Sequence, residues 1–161
     1  MRRSHLNIRG IPVADAVIDV VGVDELPLIV DMYNQIFRPA KTLESFRRRY
    51  LGRHNVLQMV ARVKDKPAGF FLGFELKPDT FFGWFYGVVP EFRRMGIGSQ
   101  LMDAAQGWAA QHEYETFRVE CHNSHRPMIH LAIELGYDIV GMRWDADRGD
   151  NLVIFEKALT S

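Results

Sequence analysis

The sequence predicts a mixed α+β fold in which a mostly antiparallel sheet is flanked by helices, and three observations carry that expectation. A chain of 161 residues with 47% apolar content is long enough for one well-buried domain and short for two. Three strand patterns follow one another at 56–63, 68–76 and 81–89. They are separated by Lys64-Asp65-Lys66-Pro67 and Lys77-Pro78-Asp79-Thr80, whose Pro/Asp chemistry suits turns between antiparallel strands. The third of them then enters a helix pattern that leads to another strand at 117–121, a crossover that yields a parallel pair.

The remaining elements follow in chain order. Residues 1–14, with Gly10 and Pro12, read as a loose lead-in, and 15–161 as a single domain. A short strand is expected at 16–22. Asp24 is expected to cap a helix in which Leu28, Met32 and Ile36 form one stripe beside Ile29, Tyr33 and Phe37. Thr42 opens a second helix that stops at Gly52. Its Arg47-Arg48-Arg49 run reads as a solvated face, because Leu43, Phe46, Tyr50 and Leu51 supply an apolar face for docking. Ile97, Leu101, Ala105 and Trp108 recur at helical spacing. A shorter helix spans 126–135 and ends at Gly136, and a hairpin of 137–144 with 151–156 closes the chain.

Composition excludes several function classes. Twenty acidic and twenty basic residues cancel, so no global field favours nucleic acid or an anionic membrane. No apolar run reaches the ~18 residues of a membrane span. The basic start Met1-Arg2-Arg3 is interrupted by Asn7 and Arg9 before an apolar core could form, so no secretory leader is expected. The single cysteine suits a reducing, cytoplasmic setting. The six histidines lack the spacing of a metal site, and no metal is expected.

The most informative stretch is 86–99. Tyr86, Gly87, Val88 and Val89 end a strand at Pro90, which has no N–H for a sheet ladder. Arg93, Arg94, Met95, Gly96, Ile97, Gly98 and Ser99 follow, a basic glycine loop that opens the helix. Free first-turn amides, the positive dipole end and glycines without Cβ atoms are how a chain holds phosphate. A P-loop would need Lys-Ser/Thr after its last glycine, but Ser99-Gln100 stands there. A dinucleotide fingerprint is closer, with Glu120 ending the next strand about twenty residues on. Its third glycine, however, is Leu101, and roughly sixty residues are too few for two βαβαβ halves. A plain strand–turn–helix would need the glycines only for geometry, and it leaves the adjacent arginines without an anion.

Val-x-Pro followed by Arg93-x-x-Gly96-x-Gly98 resembles the acyl-CoA signature of the Gcn5-related N-acetyltransferases (GNAT), and the element order is similar to that fold over nearly the whole chain. The resemblance implies acetyl-CoA as co-substrate. It places Val88 and Val89 beside the pantetheine arm, with Gly87 permitting the bulge that opens the sheet there. The pyrophosphate would lie on the amides of residues 93–99, with Arg93 and Arg94 supplying charge. Asn123 is the nearest match to a family asparagine that reaches the cofactor, and His125 stands at the position used by other members.

Two departures bear on mechanism. The family's usual tyrosine acid position is Ala132, and its usual glutamate base position is Phe82. An amine must nevertheless lose a proton before it attacks a thioester. Glu120, His122, Tyr86 and Glu75 are the candidate ends of a proton route, and Val89 N–H the candidate donor to the thioester carbonyl. Cys121 with His122 would suggest a nucleophile, but adjacent strand residues point to opposite faces, so Cys121 reads as core. The aromatics of 70–86 read as core with a few lining an acceptor pocket. The resemblance thus implies an N-acetyltransferase acting by direct attack on a small-molecule or peptide amine, with a homodimer left open. The alternative is a CoA-binding regulatory module on the same fold.

Overall fold

The computed structural model describes residues 5–6, 12–13 and 15–159. The first two pairs form β1 (His5–Leu6) and β2 (Pro12–Val13), antiparallel to each other. The rest of the expected lead-in lies outside the described residues. Strand β3 (Val17–Val20) follows, then a 3₁₀ turn at Val23–Glu25 and α1 (Leu26–Ile36). Asp24 lies inside that turn and does not cap α1. The helix opens instead at Leu26 after Glu25, with Pro27 in its first turn, where a fixed φ and a missing N–H are suited. Helix α2 (Leu43–Tyr50) begins as expected, with Thr42 Oγ1 accepting the Ser45 amide at 3.1 Å.

The sheet continues with β4 (Leu57–Val63), β5 (Lys66–Lys77) and β6 (Thr80–Val88). Helix α3 (Ile97–Gln111), β7 (Thr116–His122), α4 (Arg126–Glu134), β8 (Asp138–Asp145) and β9 (Asp150–Ala158) complete the chain. The seven strands lie in the order β3-β4-β5-β6-β7-β9-β8, and β6–β7 is the one parallel pair. Lys64 and Asp65 both take left-handed φ, 49° and 67°. They make a two-residue hairpin turn, so β5 starts at Lys66 and Pro67 sits at a register shift opposite Arg62.

Aromatic side chains fill both faces of the sheet. On one face Phe81 meets Trp108 of α3 at 5.1 Å and Phe117 at 5.8 Å between ring centroids. On the other, Tyr33 of α1 meets Phe85 at 5.0 Å and Phe46 of α2 meets Trp84 at 5.7 Å. Full burial of each such side chain contributes about 1.5–3 kcal/mol. Gly73 faces Gly83 across β5 and β6. A Cβ on Gly73 would lie 2.7 Å from the rings of Phe71 and Phe81 and from the Phe82 carbonyl, so the ring of Phe71 occupies the space glycine leaves.

Next to that pair the ladder slips. Leu72 pairs with Phe85 but Gly73 pairs with Gly83, which leaves Trp84 as the extra residue of a β-bulge. The bulge therefore falls at Trp84 and not at Gly87, which pairs in register with Phe70 and packs on Ile36. Its consequence is that Trp84 and Phe85, adjacent in sequence, both face α1 and α2.

Candidate active site

The bulge coincides with the place where the sheet opens. Parallel pairing of β6 with β7 runs from Thr80↔Thr116 to Gly83↔Val119 and stops. Past Gly83 the two strands diverge, and one edge of β6 loses its partner. The Val89 N–H donates to the Ala68 carbonyl at 2.9 Å, so the donor expected from sequence is committed to β5. Hydrogen-bonding direction alternates along a strand. The polar backbone groups that turn toward the gap are accordingly those of Tyr86 and Val88.

The glycine loop lies at the end of this open edge. Pro90–Phe92 form a 3₁₀ turn anchored by buried Phe92. Arg94 (φ 64°) and Gly96 (φ 75°) take left-handed conformations, and Gly96 is the N-cap of α3 with no side chain covering the first amides. Those of Ile97, Gly98 and Ser99 have no partner within the helix. Arg93 and Arg94 are exposed, Met95 is half-buried, and Arg93 Nε donates to the Val88 carbonyl at 3.4 Å. A Cβ on Gly98 would rest 3.5 Å from Leu131 and 3.9 Å from Val88, which puts the loop against both β6 and α4. Asn123 follows β7, its N–H bound to the Asn151 carbonyl at 2.7 Å.

On the α1/α2 face the gap leads into a cleft of about 730 Å³. Tyr33, Phe37, Trp84 and Phe85 form its apolar wall, and Tyr86, Glu120, Cys121 and His122 reach it from the strands. Three residues singled out in the sequence, Tyr86, Glu120 and His122, are thus brought to one cavity. Their states differ. Glu120 is held by Arg118 at 3.3 Å and Arg143 at 3.3 Å, an ion pair on each oxygen. His122 Nε2 lies 2.9 Å from Asp145 Oδ2. That hydrogen bond is the main reason the Asp145 carboxyl lies below the usual range, and a carboxylate can only accept. Nε2 must therefore carry the proton, which leaves Nδ1 of a neutral His122 as the acceptor.

Tyr86 and Cys121 approach the cleft from the other face. Burial raises the Tyr86 phenol, with Cys121 adding to the shift, and pushes the Cys121 thiol up to about 11. Both stay protonated at neutral pH. Buried residues alternate along β7 at Phe117, Val119 and Cys121, so His122 projects to the opposite side. The expected core placement of Cys121 holds. His125 also lines the cleft. Burial, then His122 and Arg148, draw it below the usual histidine range, while Asp150 opposes the shift. Ala132 is buried in α4 and its carbonyl accepts the Tyr137 amide at 3.0 Å. Phe82 lines the cleft where the family's glutamate would stand.

Sequence reasoning did not find Asp145, Lys41 or Arg148, all of which line the cleft. Asp145 ends β8 before a turn, where aspartate is common for purely local reasons. Nothing in its neighbourhood marks a partner 23 residues away. Among the described residues, no group of three His, Cys, Asp or Glu side chains is placed to hold a metal, and no helix is long and apolar enough to cross a membrane.

A family model described as the acetyltransferase (GNAT) family matches residues 26–137, which spans α1 to the start of the final hairpin. The chain belongs to the GNAT acetyltransferase family. No curated protein matches it in sequence. Among solved structures, this GNAT chain is similar to the ribosomal-protein-S18-alanine N-acetyltransferase from Escherichia coli, at 17% identity and TM-score 0.80, covering 91% of this chain and 95% of that one. It is also similar to Ard1 from Thermoplasma volcanium, at 19% identity and TM-score 0.77 over 91% and 99%. A GNAT family acetyltransferase from Elizabethkingia anophelis with acetyl-CoA bound shares 16% identity at TM-score 0.77 over 89% and 98%. At these identities the likeness is one of fold, and the mostly antiparallel sheet flanked by four helices is the fold expected from the sequence.

Proposed function

We propose that this GNAT chain transfers an acetyl group from acetyl-CoA to a primary amine by direct attack in a ternary complex. The observation that carries the reading is the unpartnered edge of β6. It joins a loop built for phosphate to a cleft built for an acceptor. The donor set fits coenzyme A: free amides of Ile97, Gly98 and Ser99 with the guanidiniums of Arg93 and Arg94 match a pyrophosphate. Tyr86 and Val88 match an amide-bearing arm, and Asn123 stands beyond the gap as a further contact. Bound there, the cofactor supplies an activated thioester.

The residues of the chain do the rest. The N–H groups of Tyr86 and Val88 face the gap and are the donors that would polarise a carbonyl lying in it. His122, held in one tautomer by Asp145, takes the proton that an ammonium must lose, directly or through a water. Glu120 has an arginine on each oxygen and contributes to the field of the wall as a paired carboxylate. Tyr86 remains a protonated phenol beside the gap. The wall of Tyr33, Phe37, Trp84 and Phe85 excludes water from the acceptor.

Ala132 and Phe82, at the usual acid and base positions, favour a second reading, a regulatory module that binds acyl-CoA without turnover. Release of free thiol from acetyl-CoA against a panel of amines and peptides separates the two. Amine-dependent release, lost in His122→Gln, supports the enzyme. Saturable binding of acetyl-CoA with no release across the panel supports the module.

A further inference from the structure

Three cations line the cleft. Lys41 follows α1, Arg49 lies on α2 and Arg148 lies in the β8–β9 turn, and all three line the same cavity. Among the described residues none of them forms an ion pair. The Lys41 ammonium sits over the rings of Phe85 at 4.8 Å and Tyr33 at 5.7 Å. Arg148 Nη2 donates to the Arg38 carbonyl at 2.7 Å, which ties its guanidinium to the segment that follows α1. They are close enough to be felt: burial and then the charges of Arg49 and Arg148 draw Lys41 below its ordinary range. Arg49 and Arg148 are exposed and Lys41 half-buried; like charges facing one cavity repel, and an anion lying between them would relieve that repulsion.

The cleft also carries acids, Glu120, Asp145 and Asp147. Glu120 is paired with Arg118 and Arg143, while Asp145 accepts the Arg148 backbone amide and is bound to His122, where an amine would lose its proton. We propose that the acceptor is a small amine that also carries an anionic group, a carboxylate or a phosphonate, with the amine directed to His122 and the anion held by Lys41, Arg49 and Arg148. Trp84 and Phe37 then receive its apolar part. The inference rests on the transfer reading for the fate of the amine, but not for the recognition of the anion.

The test therefore has a binding arm and a turnover arm. In the first, calorimetry compares N-acetylphenylalanine, which keeps the carboxylate, with N-acetylphenethylamine, which lacks it. In the second, phenylalanine, its aminophosphonate analogue, phenethylamine and phenylalaninamide compete as acceptors. We expect the anionic member of each set to be favoured at least about tenfold, as a charge-assisted contact predicts. The aminophosphonate against phenylalanine tells which anion is preferred. In the triple variant Lys41→Met, Arg49→Gln, Arg148→Gln the preference should collapse, and Arg148→Gln alone should reduce it. Equal binding and equal turnover of charged and uncharged members by the wild-type protein would overturn the proposal, and preference for phenylalaninamide would point to a peptide terminus instead. Preference in binding with no transfer to any acceptor would leave the anion site standing and remove the transfer reading.

Discussion

The glycine loop and the acceptor cleft open onto the same gap, yet they are assembled in opposite ways. The loop comes from one stretch of chain, 88–99, and its parts are contiguous: a strand end, a proline, two arginines, two glycines and a helix start. Its chemistry is carried by backbone amides. The cleft draws on the end of α1, on α2, β6, β7 and the β8–β9 turn, and its chemistry is carried by side chains that meet only after the sheet has formed. A site made of consecutive amides tolerates little change in backbone but much in its neighbours. A site made of converging side chains is the reverse, and this contrast can be tested.

The largest effect should come from reversing charge at the loop. Arg93→Glu with Arg94→Glu is expected to abolish the rise in melting temperature caused by acetyl-CoA, since each well-formed charged contact contributes ~1.5–3 kcal/mol. An undiminished rise would remove the loop from the cofactor site. On the cleft side, His122→Gln should lower kcat about 10²-fold, as loss of a general base does, while leaving the acetyl-CoA shift intact. If the shift is lost as well, the two sites are not separable in the way the geometry implies.

A finer probe of the backbone site is Gly98→Val. The space at Gly98 is ordinary van der Waals contact to Leu131 and Val88, so the fold should survive by circular dichroism. A branched side chain facing the phosphate amides should weaken CoA binding about tenfold, or 1.4 kcal/mol, and Gly98→Ala much less. Equal affinity for Gly98→Val would place the ligand elsewhere. The smallest effect is expected at Cys121. Its thiol, pushed up to about 11, is protonated below that pH, so iodoacetamide should modify the native protein slowly at neutral pH and faster as pH rises toward that value. Cys121→Ala should keep most activity, and a thioester-linked acetyl group on Cys121 would overturn direct transfer.

How much of this was legible in the sequence follows from the same contrast. Thr42, the order of elements along the chain and the conformation of the loop could be read because each depends on near neighbours: a cap, a period, a glycine two positions from an arginine pair. Three finer expectations needed information that is not local. The donor role of Val89 turned on strand parity, and parity depends on pairing with Ala68, 21 positions back. The bulge was expected at Gly87 because glycine permits one, but packing of Phe71 over Gly73 and Gly83 is found where the register slips, at Trp84. Asp24 has the chemistry of a cap, yet Pro27 moved the helix start past it. The His122–Asp145 couple joins β7 to the end of β8, and no spacing rule connects the two.

The short β6–β7 pairing has one more consequence. β6 is the fourth strand of seven, a position where amides are ordinarily locked on both sides and exchange with solvent hydrogen only when the whole sheet opens. Beyond Gly83 the amides of Tyr86 and Val88 lack that second partner. Deep in the sheet, they should exchange at rates typical of a surface. Whatever extended molecule enters the gap would take the place of the missing strand, and the exchange of those two amides, slowed while their neighbours stay unchanged, would record its presence.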